Sequence, residues 1–120
     1  LIYICNGNRK VNFSEKIKMI IYNTTFSIPK ELQNEFLDFI RDEYIPLSTK
    51  NNLIKEPRLT RVFSKDDDED YSFALEFKAD TIEQLEEWNK MYGRKLYFLV
   101  MRKFKQHILG FTTLLQPIEL

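Results

Sequence analysis

Apolar and polar side chains alternate strictly from Met19 onward. Ile20, Tyr22, Thr24, Phe26 and Ile28 form one row and Ile21, Asn23, Thr25 and Ser27 the other, the two-residue period of a β-strand. One row is apolar and the other mixed. Pro29 suits the first turn of a helix, and beyond it Leu32, Phe36, Phe39, Ile40 and Tyr44 recur at three- and four-residue spacing between charges, predicting an amphipathic helix. Pro46 restricts the residue before it, so the helix is expected to end or kink there and give way to a polar turn at Asn51 and Asn52. Leu59 to Ser64, after Pro57, predicts a short second strand. Tyr71 to Ala79 predicts a third, with Tyr71, Phe73, Leu75 and Phe77 on one side. Asp80, with Glu83 three residues on, has the spacing of a capping box and opens a second helix, whose apolar stripe runs from Ile82 and Leu85 through Tyr92, Leu96, Leu99 and Val100. Gly93 interrupts that stripe at a cost of about 1 kcal/mol, which predicts a kink or two consecutive helices. Ile108 to Leu115 is the last strand.

The order β, α, β, β, α, β is the ferredoxin-like α+β plan, a four-stranded antiparallel sheet with right-handed crossovers that place both helices on one face. The first and third strands are then neighbours at the sheet centre. Ile21, Asn23, Thr25 and Ser27 share a face with Ser72, Ala74, Glu76 and Lys78, and because Glu76 and Lys78 would be costly beneath helices, that face should be the open one. Asn23, Thr25, Ser72, Glu76 and Lys78 are therefore the candidate ligand-binding residues. The plainer alternative is a hydrated or subunit-covered face that holds no ligand.

A chain of 120 residues, 43% hydrophobic, with three Gly and four Pro, has the size and composition of one folded domain with little flexible linker. That domain is expected over 19–120. Residues 1–18 show no clear period and read as an extension outside it, with Met19 as the expected physiological start. Eighteen basic residues cancel eighteen acidic ones, so no overall field draws nucleic acid or anionic lipid. The single cysteine, Cys5, cannot close an internal disulfide, which favours a reducing cytoplasm. The Leu1–Cys5 apolar run is too short for a signal peptide, and Leu96 to Met101 falls far below the roughly 20 residues of a membrane span.

Motifs that carry chemistry are sparse. The tract Asp66 to Asp70 begins like a calcium loop, but Tyr71 and Phe77 stand where glycine and glutamate are needed, so it reads as a solvated hairpin tip. Lys90, Arg94, Lys95, Arg102, Lys103 and Lys105 lie among Tyr97, Phe98 and Phe104, but with Glu83, Glu86 and Glu87 near the other end they form the charge gradient a helix dipole rewards. Glu86 and Lys90 are also spaced for an ion pair. His107 is the only histidine, which excludes a histidine-based metal cluster within one chain and suggests a helix-end residue. Arg58 and Arg61, three apart on a strand, point to opposite faces and fit a charged edge better than an anion clamp. No glycine-rich phosphate loop or Ser-His-Asp motif exists, and no cofactor or metal is expected.

Met19-Ile-Ile-Tyr-Asn-Thr-Thr-Phe26, Glu43-Tyr-Ile-Pro46, Pro57-Arg-Leu-Thr-Arg-Val62 and Gly110-Phe-Thr-Thr-Leu-Leu-Gln-Pro-Ile-Glu-Leu120 resemble a family of short bacterial proteins known only as a domain of unknown function. The resemblance covers Met19 to Leu120 and supports Met19 as the start. Its plan is similar to the dimeric α/β barrels, whose subunits pair through their open sheet faces and which include cofactor-free monooxygenases and muconolactone-isomerase-like enzymes. No catalytic motif of those enzymes maps onto this chain. With no catalytic constellation in the sequence, the expected function is that of a homodimeric, cytosolic binding or interaction module. The alternative is a cofactor-independent enzyme, monooxygenase-like or isomerase-like, with Asn23, Thr25, Ser72 and Glu76 orienting a small organic substrate in the dimer lumen. Binding of single-stranded RNA across the open face is a third and weaker expectation.

Overall fold

The computed structural model describes residues 19–65 and 69–120, so the expectations for 1–18, Cys5 and Asp66–Asp68 lie outside the described residues. Strand β1 (Ile20–Pro29) leads into a short 3₁₀ turn (Lys30–Leu32) and helix α1 (Gln33–Phe39), which passes through a π turn (Ile40–Tyr44) into α2 (Ile45–Ser48). Strands β2 (Lys55–Val62) and β3 (Asp70–Ala79) follow. Helix α3 (Ile82–Trp88), a second π turn (Asn89–Gly93), helix α4 (Arg94–Phe104) and strand β4 (Leu109–Leu115) complete the chain. The four strands lie in the order β2-β3-β1-β4 with every neighbour antiparallel, which is the ferredoxin-like plan.

The two-residue rows do what their composition dictates. Ile20, Tyr22, Thr24, Phe26 and Ile28 are all buried, as are Phe73, Leu75, Phe77 and Ala79 beside them, whereas the opposite row of β1 is only half-buried. Burying an aromatic or aliphatic side chain is worth about 1.5–3 kcal/mol, so a one-residue slip that exchanged the rows would forfeit most of the core. Phe36 links sheet to helices through Phe26 and Phe73, with ring centroids 5.3 and 5.4 Å away, and Phe39 meets Phe104 at 5.3 Å. The two helical arms are tied by the Trp88 indole N–H, which donates to the Ser48 carbonyl at 2.8 Å. Among the described residues, no helix is long and apolar enough to cross a membrane.

Several local expectations change. Pro46 neither ends nor sharply breaks the helix, which continues to Ser48. The turn before it widens instead, with the Ile45 N–H donating five residues back to the Ile40 carbonyl, and Ile45 keeps helical angles of φ −63° and ψ −47°. Such a π turn is a recognised way to absorb a residue that the i to i−4 ladder cannot accommodate. Gly93 likewise closes a π turn, and a Cβ there would run into the Asn89 side chain. The second helix is capped by Thr81, whose hydroxyl accepts from the Gln84 N–H at 3.1 Å, and not by Asp80, which pairs with Lys55 at 3.0 Å. Among the described residues, the Glu86 and Lys90 spacing closes no ion pair. Strand β2 starts before Pro57, since Glu56 at φ 54° and Pro57 form a bulge opposite Phe77 on an edge strand, where a missing N–H is tolerated.

Candidate functional site

The open face is assembled by register. Asn23 lies opposite Glu76, Thr25 opposite Ala74 and Ser27 opposite Ser72, so Asn23, Thr25, Ser72, Glu76 and Lys78 do share one side of the two central strands. They form a stripe and not a pocket. Ser72 and Lys78 are six residues apart on one strand, about 20 Å at the usual rise, so a single small molecule cannot touch both. At the centre, the Asn23 amide donates to the Thr25 hydroxyl at 3.2 Å, and Glu76 lies 3.9 Å from the Arg58 guanidinium. Lys78 pairs with Glu56 at 3.7 Å. Arg61 points to the other face, as its spacing requires, and its guanidinium lies 3.9 Å from the centre of the Tyr71 ring and 5.0 Å from that of Phe63. His107 is exposed in the turn Lys105–His107.

Strand β4 adds what the sequence reading did not assign. Leu109, Phe111 and Leu115 stand opposite Ser27, Thr25 and Ile21 on the same open face and are 73%, 65% and 43% exposed. Polar groups therefore run along the centre of the face and apolar ones along its β4 edge. The signal was the alternation Leu109, Phe111, Thr113, Leu115 against Gly110, Thr112, Leu114, which places the larger apolar groups outside.

On the helix side, a cavity of roughly 90 Å³ lies between the sheet and α4. Tyr22, Thr24, Gly110 and Thr112 supply its floor, Leu96, Val100 and Met101 its roof, and Tyr44 from the first π turn a wall. Thr24 and Thr112, paired across β1 and β4, share a buried hydrogen bond of 3.2 Å. Burial pushes the Tyr22 phenol above its ordinary value, with hydrogen bonding to Thr112 and Thr24 opposing the rise, and burial pushes Tyr44 upward more strongly, reinforced by Tyr22. Both therefore act as proton-holding hydroxyls. Spacing along the chain puts Thr24 and Tyr22 in the apolar row and Tyr44 in the helix stripe. Three hydroxyl residues on two core-facing elements were the available sign.

Residues 19–118 match the family described as Domain of unknown function (DUF4286). A search of curated proteins gives no significant match. Among solved structures, the chain is similar to an ethyl tert-butyl ether d (ethd) family protein of Bacillus halodurans, with 14% identity, a TM-score of 0.61, and coverage of 82% of this chain and 99% of that one. A dabb family protein with a ferredoxin-like fold from Mesorhizobium loti aligns at 12% identity and a TM-score of 0.55 over 84% of this chain and 98% of that one. SnoaB, a cofactor-independent oxygenase from Streptomyces nogalater, aligns at 11% identity and a TM-score of 0.57 over 86% and 96%. At these identities the likeness is one of fold.

Proposed function

This chain belongs to the DUF4286 family, and we propose that its domain, residues 19–120, is a cytosolic homodimeric binding module that pairs through the open sheet face. The observation that carries this reading is the exposed strip Leu109, Phe111 and Leu115 beside the polar stripe. Exposed apolar side chains grouped along one sheet edge fit an interaction site, and a two-fold axis lets one surface cover its own copy. Pairing buries the strip and turns Asn23, Thr25, Ser72, Glu76 and Lys78 into the wall of a partly polar lumen suited to a small organic molecule. The neighbours of similar fold add plausibility to the architecture and nothing to the chemistry.

Sedimentation velocity at micromolar concentration tests the pairing. The wild-type chain is expected at twice the single-chain mass, and Phe111→Glu, which places a charge in the centre of the strip, at the single-chain mass with an unchanged fold. A wild-type chain that sediments as a monomer overturns the proposal.

A further inference from the structure

The cavity beneath α4 lies on the opposite side of the sheet from the open face, and its chemistry is unlike that of the polar stripe. Five hydroxyl-bearing residues line it, the exposed Tyr97 and four buried ones, Tyr22, Thr24, Thr112 and Tyr44, among apolar side chains and glycine. Thr24 and Thr112 are hydrogen-bonded to each other at 3.2 Å, and hydrogen bonding to both opposes the rise that burial imposes on the Tyr22 phenol. The fourth differs. Tyr44 is only 6% exposed, and its hydroxyl makes no hydrogen bond among the described residues. Buried polar groups are satisfied almost without exception, so a donor left over at the wall of a cavity points to something that accepts from it.

The lining also defines the kind of occupant. None of the residues around the cavity carries a charge, so an ion entering it would lose its hydration without compensation. An apolar cavity of about 150 Å³ takes a benzene ring, and the roughly 90 Å³ here takes a shorter molecule or the head of a longer one that leaves past the exposed Tyr97. We infer that this cavity is a second ligand site, for a small uncharged carbonyl compound whose oxygen accepts from Tyr44 and whose apolar remainder lies against Leu96, Val100 and Ile108. The raised phenol values of Tyr22 and Tyr44 suit this role, because both hydroxyls keep their protons across the physiological range. The site is complete within one chain and stands whether or not the open faces pair.

Methyl-resolved NMR spectra of the full chain test it, with 2-butanone as the neutral probe and butyrate as its charged counterpart. Butanone is expected to shift the Leu96, Val100 and Ile108 methyls saturably in the millimolar range, and butyrate to leave them unmoved. Tyr44→Phe should weaken butanone binding about tenfold, the effect of one lost hydrogen bond, while raising the melting temperature of the free protein because it removes an unmatched buried hydroxyl. Equal butanone affinity in wild type and Tyr44→Phe overturns the inference. So does the absence of any saturable shift, which would mean that the cavity holds only water. Shifts confined to the Ile21 and Ala74 methyls overturn it as well, since they place binding on the open face and separate its failure from that of the pairing proposal. The comparison of butanone with butyrate needs only the wild-type chain.

Discussion

At the scale of single residues, the hydroxyls within the apolar row decide the character of the interior. A threonine on a core-facing strand position is destabilising unless its hydroxyl finds a partner, and Thr24 finds Thr112 directly across the β1 and β4 ladder. Tyr44 has no such match, which makes it the residue whose removal is most informative. Its phenol and that of Tyr22 both titrate above the ordinary 10.0. The folded state therefore holds two protons that the unfolded chain releases first. Their contribution to stability is intact below pH 10 and is lost as pH rises through the folded-state values. Urea midpoints measured at pH 8, 10 and 11 should fall at the alkaline end for the wild type and fall less for Tyr44→Phe. Parallel declines in the two proteins would show that Tyr44 does not titrate in this way. None of this was legible in the sequence, because the period that places Thr24 and Tyr44 in the core says nothing about which hydroxyls meet there.

At the scale of elements, the sequence specified type and order well and boundaries less well. The strands β1 and β3 were legible because their alternation is uninterrupted over Ile20–Pro29 and Asp70–Ala79. Pro46 and Gly93 were legible as disturbances, but a single sequence does not distinguish a break from a π turn, since both relieve the same local conflict and tertiary packing chooses between them. Here Tyr44 and Tyr92, one in each π turn, are both buried, so the widened turns keep the apolar stripe facing the sheet. The cap of α3 slipped by one residue because Asp80-x-x-Glu83 and Thr81-x-x-Gln84 satisfy the same spacing rule, and Asp80 is drawn instead to Lys55. Thr81→Ala should accordingly cost about 1 kcal/mol, the usual worth of an N-cap hydroxyl, as measured by chemical denaturation. Asp80→Ala should cost less than about 0.5 kcal/mol, the scale of an exposed ion pair. The reverse ranking would restore Asp80 as the cap.

At the scale of the whole molecule, the strand order β2-β3-β1-β4 and the helix-covered face follow from the element order and the aromatic rows. The polar stripe was legible for the same reason, because Glu76 and Lys78 cannot lie under helices. The apolar strip on β4 was not, since no outward row had been assigned within Leu109–Leu115. The two features together make the open face amphipathic, with its apolar portion at one edge, and leave the helix side with a separate cavity. Isotope-filtered NOE measurements on a mixture of labelled and unlabelled chains decide whether the open faces pair. Pairing produces cross-chain NOEs from the Phe111 ring to aliphatic groups of the open face of the other copy. Their absence in a sample concentrated enough for dimer to dominate, or cross-chain NOEs confined to the outer surface of α4, would contradict it.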